Sequence, residues 1–383
     1  MHAWRALLAR QDRLNAIHQT PAYFRYLQHT GGAPELILVR DRMRKAIVAA
    51  LPTSRGSFNL DLNLETRRFG RFRLRSLTLL GNEPALDGGG EALDALFAFL
   101  ARRRGDADVI QMYAVRREGA LWAYINHSPT IRQYFGVYVV GGFRASHSIT
   151  LPPTVEDYYQ KMPRKRRYNL KRQERLLREH FGGRLVLRPL EREEEVPLLL
   201  AGFERLGVTV DGGLPVSRAK YEEAARCGVL RTFILSAAER VIGIVSGIRS
   251  EDGYFVGDVL FDRSLARFSP GTTLWQMTLR HLIAEGTVGV VGISYGSPAY
   301  GFASVNTIEE KGRVLLYRRS ALNFLRFSVH GLWARAVQEA KRRTGRTRGN
   351  YFQYSDFGSG VFAHGTRREK SLSRDFVHVQ LLS

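Results

Sequence analysis

Three stretches of this chain hold residue types and spacings that could do chemistry. In "KMPRKRRYNLKRQERLLR", nine Lys or Arg lie from Lys161 to Arg178, with Glu174 as the one acid. At ~100° per residue, Arg164, Arg167, Lys171, Arg175 and Arg178 share one helical stripe, and Leu170, Leu177 and Phe181 form a separate apolar one. This reads as an amphipathic helix with a cationic edge, either a solvated face or an anion site. Like charges crowded on one stripe repel each other, so the anion site is the preferred reading. In "RFSPGTTLWQM", Ser269 can cap, Pro270 suits the first helical position and Gly271 permits close approach to the backbone. Such a start is either an ordinary capped helix or a phosphate cradle, to which Arg267, Thr272 and Thr273 could add donors. In "YFVGDVLFD", strict alternation sets Tyr254, Val256, Asp258 and Leu260 on one face. Asp258 is then a carboxyl within an apolar face, either a hydrogen-bonded structural residue or a general base with a raised pKa.

Composition bounds what these stretches can belong to. The chain has 383 residues, 44% hydrophobic, a length for about two or three domains with real cores. A net charge of +22 points to anionic partners: nucleic acid, a membrane surface or phosphate-bearing ligands. The single cysteine, Cys227, excludes a disulfide framework and suits a reducing compartment. The ten histidines show no ligand spacing, so no metal is expected. The N-terminus lacks a signal-peptide core, and no apolar run approaches ~18 residues. A cytoplasmic protein is expected.

The elements that must position these residues repeat one order. "ELILVRDRMRKAIVAALP" reads as two strands, residues 71–82 as a third, 90–105 as a helix and 108–115 as a strand. "RTFILSA" and "RVIGIVSGIRS" flank a tight turn at Ala238–Glu239. Residues 254–262 are a further strand, 269–286 a helix and 288–296 a buried strand. Strand, strand, strand, helix, strand thus occurs twice, without a residue-level repeat. Helices are expected near 155–180 and 191–206, with Pro163 a break point, and at 319–343. The rest of the chain has no sustained period and reads as loose or as a packed strap.

This layout, with "SPG" opening the later helix, resembles the core of the GNAT acyltransferases. "LPPTVEDYYQKM-PRKRRYNLKRQERLL" followed by "FDRSLARFSPGTTLWQMTLRHLIAEG" resembles more sharply the acetyltransferase domain of the cellulose-biosynthesis (CelD-like) family, over about residues 145–315. Gly81 and Asn82 also fit. The resemblance implies an α/β (α+β) fold of tandem GNAT-like domains, each a mixed, mostly antiparallel sheet flanked by helices. The expected boundaries are 1–145 for a degenerate N-terminal domain, 146–318 for the acyltransferase domain, and 319–383 for a helix and basic tail.

It further implies an enzyme of the EC 2.3.1 class that uses acetyl-CoA or another acyl-CoA. Arg267, Ser269, Gly271, Thr272 and Thr273 would hold the pyrophosphate. Arg164, Arg167, Tyr168, Asn169 and Lys171 would line the substrate. Asp258 would be the base, and Tyr295 or Tyr300 a general acid beside the mouth. The acceptor would be an amine or hydroxyl of a saccharide or envelope precursor, in polysaccharide biosynthesis. The "RYN" of Arg167–Asn169 also looks like the Fem-type aminoacyltransferases, tandem proteins that use aminoacyl-tRNA, so tRNA is the alternative partner. Peripheral association with an anionic membrane or envelope machinery is a further one. The CelD-like family has a Tyr-Lys pair where this chain has Tyr300 and Gly301, which leaves a non-catalytic binding protein as the third reading.

Overall fold

A computed structural model describes residues 2–9, 17–64, 67–81, 83–87, 89–103, 105–208, 217–295, 305–343 and 377–382. The chain divides into two compact units. One holds residues 1–11, 31–145 and 309–383, the other 12–30 and 146–308.

In chain order the first elements are α1 (His2–Leu8), α2 (Pro21–His29), β1 (Pro34–Asp41), β2 (Ala46–Leu64), β3 (Arg67–Leu79), β4 (Ala85–Leu86), α3 (Gly90–Arg102), β5 (Val109–Arg116), α4 (Ala120–His127), α5 (Pro129–Tyr134) and β6 (Phe135–Thr150). Then come α6 (Val155–Gln160), α7 (Arg164–His180), β7 (Leu185–Leu190), α8 (Val196–Arg205), α9 (Arg218–Arg226), β8 (Leu230–Ala237), β9 (Arg240–Arg249), β10 (Gly253–Phe261), α10 (Pro270–Glu285) and β11 (Val290–Tyr295). Last are β12 (Thr307–Arg318), α11 (Ala321–Arg343) and β13 (Val377–Leu382).

The repeated order is real and so is its geometry. In the first unit β1, β2 and β3 are antiparallel, α3 crosses over, and β5 lies parallel to β3. In the second unit β8, β9 and β10 are antiparallel, α10 crosses over, and β11 lies parallel to β10. Each crossover strand gains an antiparallel neighbour on its far side: β12 beside β5, and Ser146–Thr150 of β6 beside β11. Each unit is therefore a mixed, mostly antiparallel sheet flanked by helices. The β8–β9 turn needs two left-handed residues, and Ala238 and Glu239 supply them at φ 48° and 69°. Pro163 ends the segment before α7, as its missing N–H requires.

One face of the first sheet packs α3 through Leu93, Leu96, Phe97 and Leu100. The other packs α11 through Phe327. In the second unit α10 and α7 cover one face through Leu274, Leu279, Leu282 and Leu177. Helices α8 and α9 cover the other through Leu199, Phe203 and Ala224. The end of the chain returns as a strap, β13, antiparallel to β1.

Arg318 closes α3. Its guanidinium donates to the carbonyls of Leu100, Ala101, Arg103 and Ala107 at 2.7–2.9 Å. These include last-turn carbonyls that have no intrahelical partner. A hydrogen bond to a charged group contributes roughly 1.5–3 kcal/mol net of water, and four made by one guanidinium are not additive. Arg318→Met is therefore expected to lower stability by about 2–4 kcal/mol, measured by denaturant titration, with Arg318→Lys restoring only a small part.

Candidate functional site

The sheet of the second unit opens where its parallel strands part. β10 and β11 pair only through Gly253–Phe255 and Val290–Gly292. Beyond that, β10 stays with β9 as far as Phe261, and β11 follows β6 as far as Tyr295. Beyond Phe255 and Gly292 the ladder between these two strands ends, so the edge of β10 facing β11 carries backbone groups without a partner on that strand. A group can then approach β10 from the side.

At the same point β10 carries a bulge between Val256 and Asp258. One extra residue reverses the alternation. Tyr254 and Val256 face the α10 side, whereas Leu260 packs on the α8–α9 side. The single apolar face expected for Tyr254, Val256, Asp258 and Leu260 is thus corrected. Asp258 pairs across the strands with Ser246, accepts a hydrogen bond from its hydroxyl, and lies near Tyr221 of α9. Solvent reaches Asp258, yet surrounding protein pushes its pKa up, partly offset by the Ser246 bond. That combination describes a carboxyl in a concave opening. Ser246 also bonds Tyr221, whose own pKa is raised by burial and by the Asp258 charge.

Helix α10 starts beside the end of β10. Ser269 takes a left-handed φ of 53° and makes no side-chain cap. Pro270 follows at the first helical position. Gly271 is required by close approach, because a Cβ there would lie 2.7 Å from the Phe261 ring. Thr273 is buried, and its hydroxyl has no hydrogen-bond partner among the described residues. Arg267 lies with its guanidinium 4.7 Å from the Phe268 ring centroid. The geometry leaves the N–H groups of Gly271 and Thr272 at the positive end of a 16-residue helix.

Helix α7 packs along α10. Glu174 accepts from Arg280 at 2.7 Å and from Arg178 at 3.2 Å. His180 stacks on Phe268, with ring centroids 4.4 Å apart. The side chain that reaches the start of α10 is Gln173, donating to Ser269 Oγ at 3.3 Å. Of the expected substrate residues, Arg164, Tyr168, Asn169 and Lys171 are exposed and Arg167 is half-buried. Lys171 sits 5.6 Å from the Tyr159 ring centroid. Arg166, which shares a stripe with Leu170, Gln173 and Leu177, is half-buried, and burial lowers its pKa. Arg166, Gln173, Ser246 and Tyr221 are the residues that sequence reasoning missed. Ser246 alone left a signal, a polar residue inside the apolar run "VIGIVSGI". Tyr300, the Tyr295 side chain and Asn82 lie outside the described residues.

The first unit carries its own ion pair in the loop after the corresponding strand. β3 and β5 also pair over only three residues, Ser76–Thr78 with Val109–Gln111. In the loop after β3, the buried Glu83 takes two bonds from Arg116 at the end of β5, at 3.1 and 3.2 Å. The first turn of α3 holds Glu91 and begins from Gly89, without a capping hydroxyl. An anion would meet carboxylates there.

His29, Glu223 and Cys227 bring ligand-type atoms within 4.8 Å of one another, a grouping that spacing along the chain did not reveal. Glu223 accepts from Cys227 at 3.2 Å and pairs with His29 at 2.5 Å, and Arg226 takes its other oxygen. Burial and this carboxylate push the Cys227 thiol up to about 11, which suppresses the thiolate.

Residues 164–300 match the family model of the acetyltransferase (GNAT) domain. Among solved structures, the chain is similar to FemX at a TM-score of 0.57 and 10% identity, over 83% of this chain and 96% of that one. It is similar to a conserved protein of unknown function from Bacteroides thetaiotaomicron VPI-5482 at 0.51 and 11%, over 82% and 97%. No curated protein matches the chain. The fold is that of the GNAT acyltransferases, and the matching segment lies wholly within the second unit. Among the described residues no helix is long and apolar enough to cross a membrane.

Proposed function

We propose that the second unit is an acyltransferase. It takes an acyl group from acetyl-CoA or another acyl-CoA to an amine or hydroxyl of a saccharide or envelope precursor. The observation that carries this reading is the parting of β10 from β11 beside the start of α10. A thioester arm can enter the gap while its pyrophosphate rests on the N–H groups of Gly271 and Thr272, with Arg267, Ser269 and Thr273 alongside. The acceptor nitrogen or oxygen attacks the thioester carbonyl and loses its proton to Asp258. The carbonyl oxygen is held by an N–H on the open edge of β10. The sulfur leaves with a proton from a tyrosine, for which Tyr295 and Tyr300 are the candidates. Arg164, Arg167, Tyr168, Asn169 and Lys171 of α7 would meet an anionic part of the acceptor, with Arg166 and Gln173 nearer the cofactor. The saccharide class is supported by the CelD-like motifs alone. The first unit, with Glu91 in the first turn of α3 and no capping hydroxyl, would not hold a cofactor's pyrophosphate. The net charge of +22 favours transfer from aminoacyl-tRNA as the second reading.

Acetyl-CoA titrated into the protein by calorimetry is expected to bind at micromolar affinity. Thr272→Asp should weaken it at least tenfold while preserving the fold, because an acid in the first turn suits a helix but repels pyrophosphate. Gly271→Glu should abolish it. Absence of binding to the unaltered protein overturns the acyl-CoA reading, and charged tRNA becomes the next donor to test.

A further inference from the structure

We infer that the outer face of α11 is a docking surface for an anionic phospholipid bilayer. This inference stands apart from the acyl-transfer reading and concerns the first unit. Leu322, Leu325, Val329 and Leu332 recur at spacings of three, four and three, so they form one stripe along the helix. The stripe faces solvent, with Leu322 56%, Leu325 59% and Leu332 65% exposed. The opposite side of α11 is already occupied. Asn323 and Phe327 are buried, and His330 bonds the Tyr138 hydroxyl at 2.6 Å. A helix that buries one face and still presents leucines on the other has a second partner to satisfy.

The patch extends beyond the helix. Trp333 donates from Nε1 to Asn63 O at 3.0 Å and packs on Phe69 with ring centroids 5.3 Å apart. This holds the β2–β3 tip beside α11, and Leu64 and Phe69 there are exposed as well.

Charge decides the occupant. Helix α11 carries Arg326, Arg335, Lys341, Arg342 and Arg343 against Glu339 alone, and the tip adds Arg67 and Arg68. Among the described residues Arg67, Arg68 and Arg335 form no ion pair with a carboxylate. A second copy of this chain would bring two cationic helices together, which repel. Nucleic acid would use stacking rings and polar donors, not aliphatic side chains. A bilayer of acidic lipids accepts both features. Leucines enter the acyl boundary and arginines meet the headgroups. Helix α7, with eight Lys or Arg, lacks such a stripe: its Leu170 and Leu177 pack into the core with α10.

The test is cosedimentation of the full chain with vesicles at about 0.1 M salt, where exposed charges still act over ~10 Å. Binding to vesicles containing phosphatidylglycerol should be at least tenfold tighter than to phosphatidylcholine vesicles, and should weaken several-fold at high salt. Leu325→Glu with Leu332→Glu should reduce it at least tenfold without moving the melting temperature, since both positions are exposed. Equal binding to neutral and acidic vesicles overturns the proposal, as does binding that the double variant leaves unchanged. So does a solution dimer that the double variant dissolves while vesicles are not bound, because the stripe is then a self-association face.

Discussion

Asp258→Asn is expected to lower kcat/KM for acyl transfer by at least about 100-fold, the usual contribution of a positioned general base. Affinity for acetyl-CoA should change little, because the pyrophosphate would rest at α10 and the carboxyl acts on the acceptor. The environment of Asp258 sets the pH profile. Surrounding protein raises its pKa and the Ser246 hydroxyl partly lowers it. Activity should therefore rise with pH through a midpoint above the ordinary carboxylate range. Ser246→Ala removes the lowering contribution, so that midpoint should move to higher pH while the plateau stays within a few-fold. A purely structural Asp258 would give neither the loss of turnover nor the shifted midpoint. The linkage has a definite sign. A carboxyl with a raised folded pKa favours folding in its protonated form, and this contribution is lost as pH rises through the unfolded and then the folded value. At neutral pH the ionised Asp258 is a cost, so Asp258→Asn should fold at least as stably as the unaltered chain. An inactive variant with an unchanged or higher melting temperature would mark Asp258 as a residue kept for chemistry.

The placement of Asp258 shows how far the chain could be read without coordinates. Both strand-strand-strand-helix-strand runs were legible, because alternation, a 3.6-residue period and turn residues all agreed within each segment. Pro163 and Ser269–Gly271 marked their helix starts correctly for the same reason. A β-bulge leaves no comparable mark. "FVGDV" reads as a continuous strand, and only pairing with β9 reveals that Gly257 is extra. β6 was missed because Gly141 and Gly142 interrupt it like a turn. Both take positive φ, 66° and 76°, inside the strand. β12 was missed because its pairing with β5 joins residues about two hundred positions apart. The same distance hid the partners of the site. Tyr221 and Ser246 meet Asp258 through the sheet and α9, and Gln173 meets Ser269 through the packing of α7 on α10. Chemistry within one stretch was readable; chemistry assembled from several elements was not.

The largest expected loss of stability in the second unit is at Arg231. Its residue surface is 4% exposed at the start of β8, and its guanidinium pairs with Glu191 and Glu285. Phe233 lies under it, 5.0 Å from ring centroid to guanidinium carbon. Burial alone works against the cation and lowers its pKa, while the Glu285 charge supports it. Glu285 ends α10, where a cation also meets the negative end of the helix dipole. Arg231→Met leaves both acids without this partner. Breaking a buried pair from one side costs about 3–5 kcal/mol. Both acids keep some contact with water, and Glu191 retains Arg249 at 3.1 Å, so about 3 kcal/mol is expected. For a unit of this size that is a fall of roughly 6–12 °C in melting temperature. Adding Glu285→Gln to Arg231→Met should recover part of the loss, because it removes one stranded charge. Additive losses in that double-variant cycle would refute the coupling. The far end of α10 should notice little. A 16-residue helix is about 24 Å long, so acetyl-CoA affinity of the folded variant should stay within about threefold of the unaltered protein. A parallel collapse of affinity and stability would instead mean that Arg231 fixes the position of the whole helix, and with it the N–H groups proposed to hold the pyrophosphate.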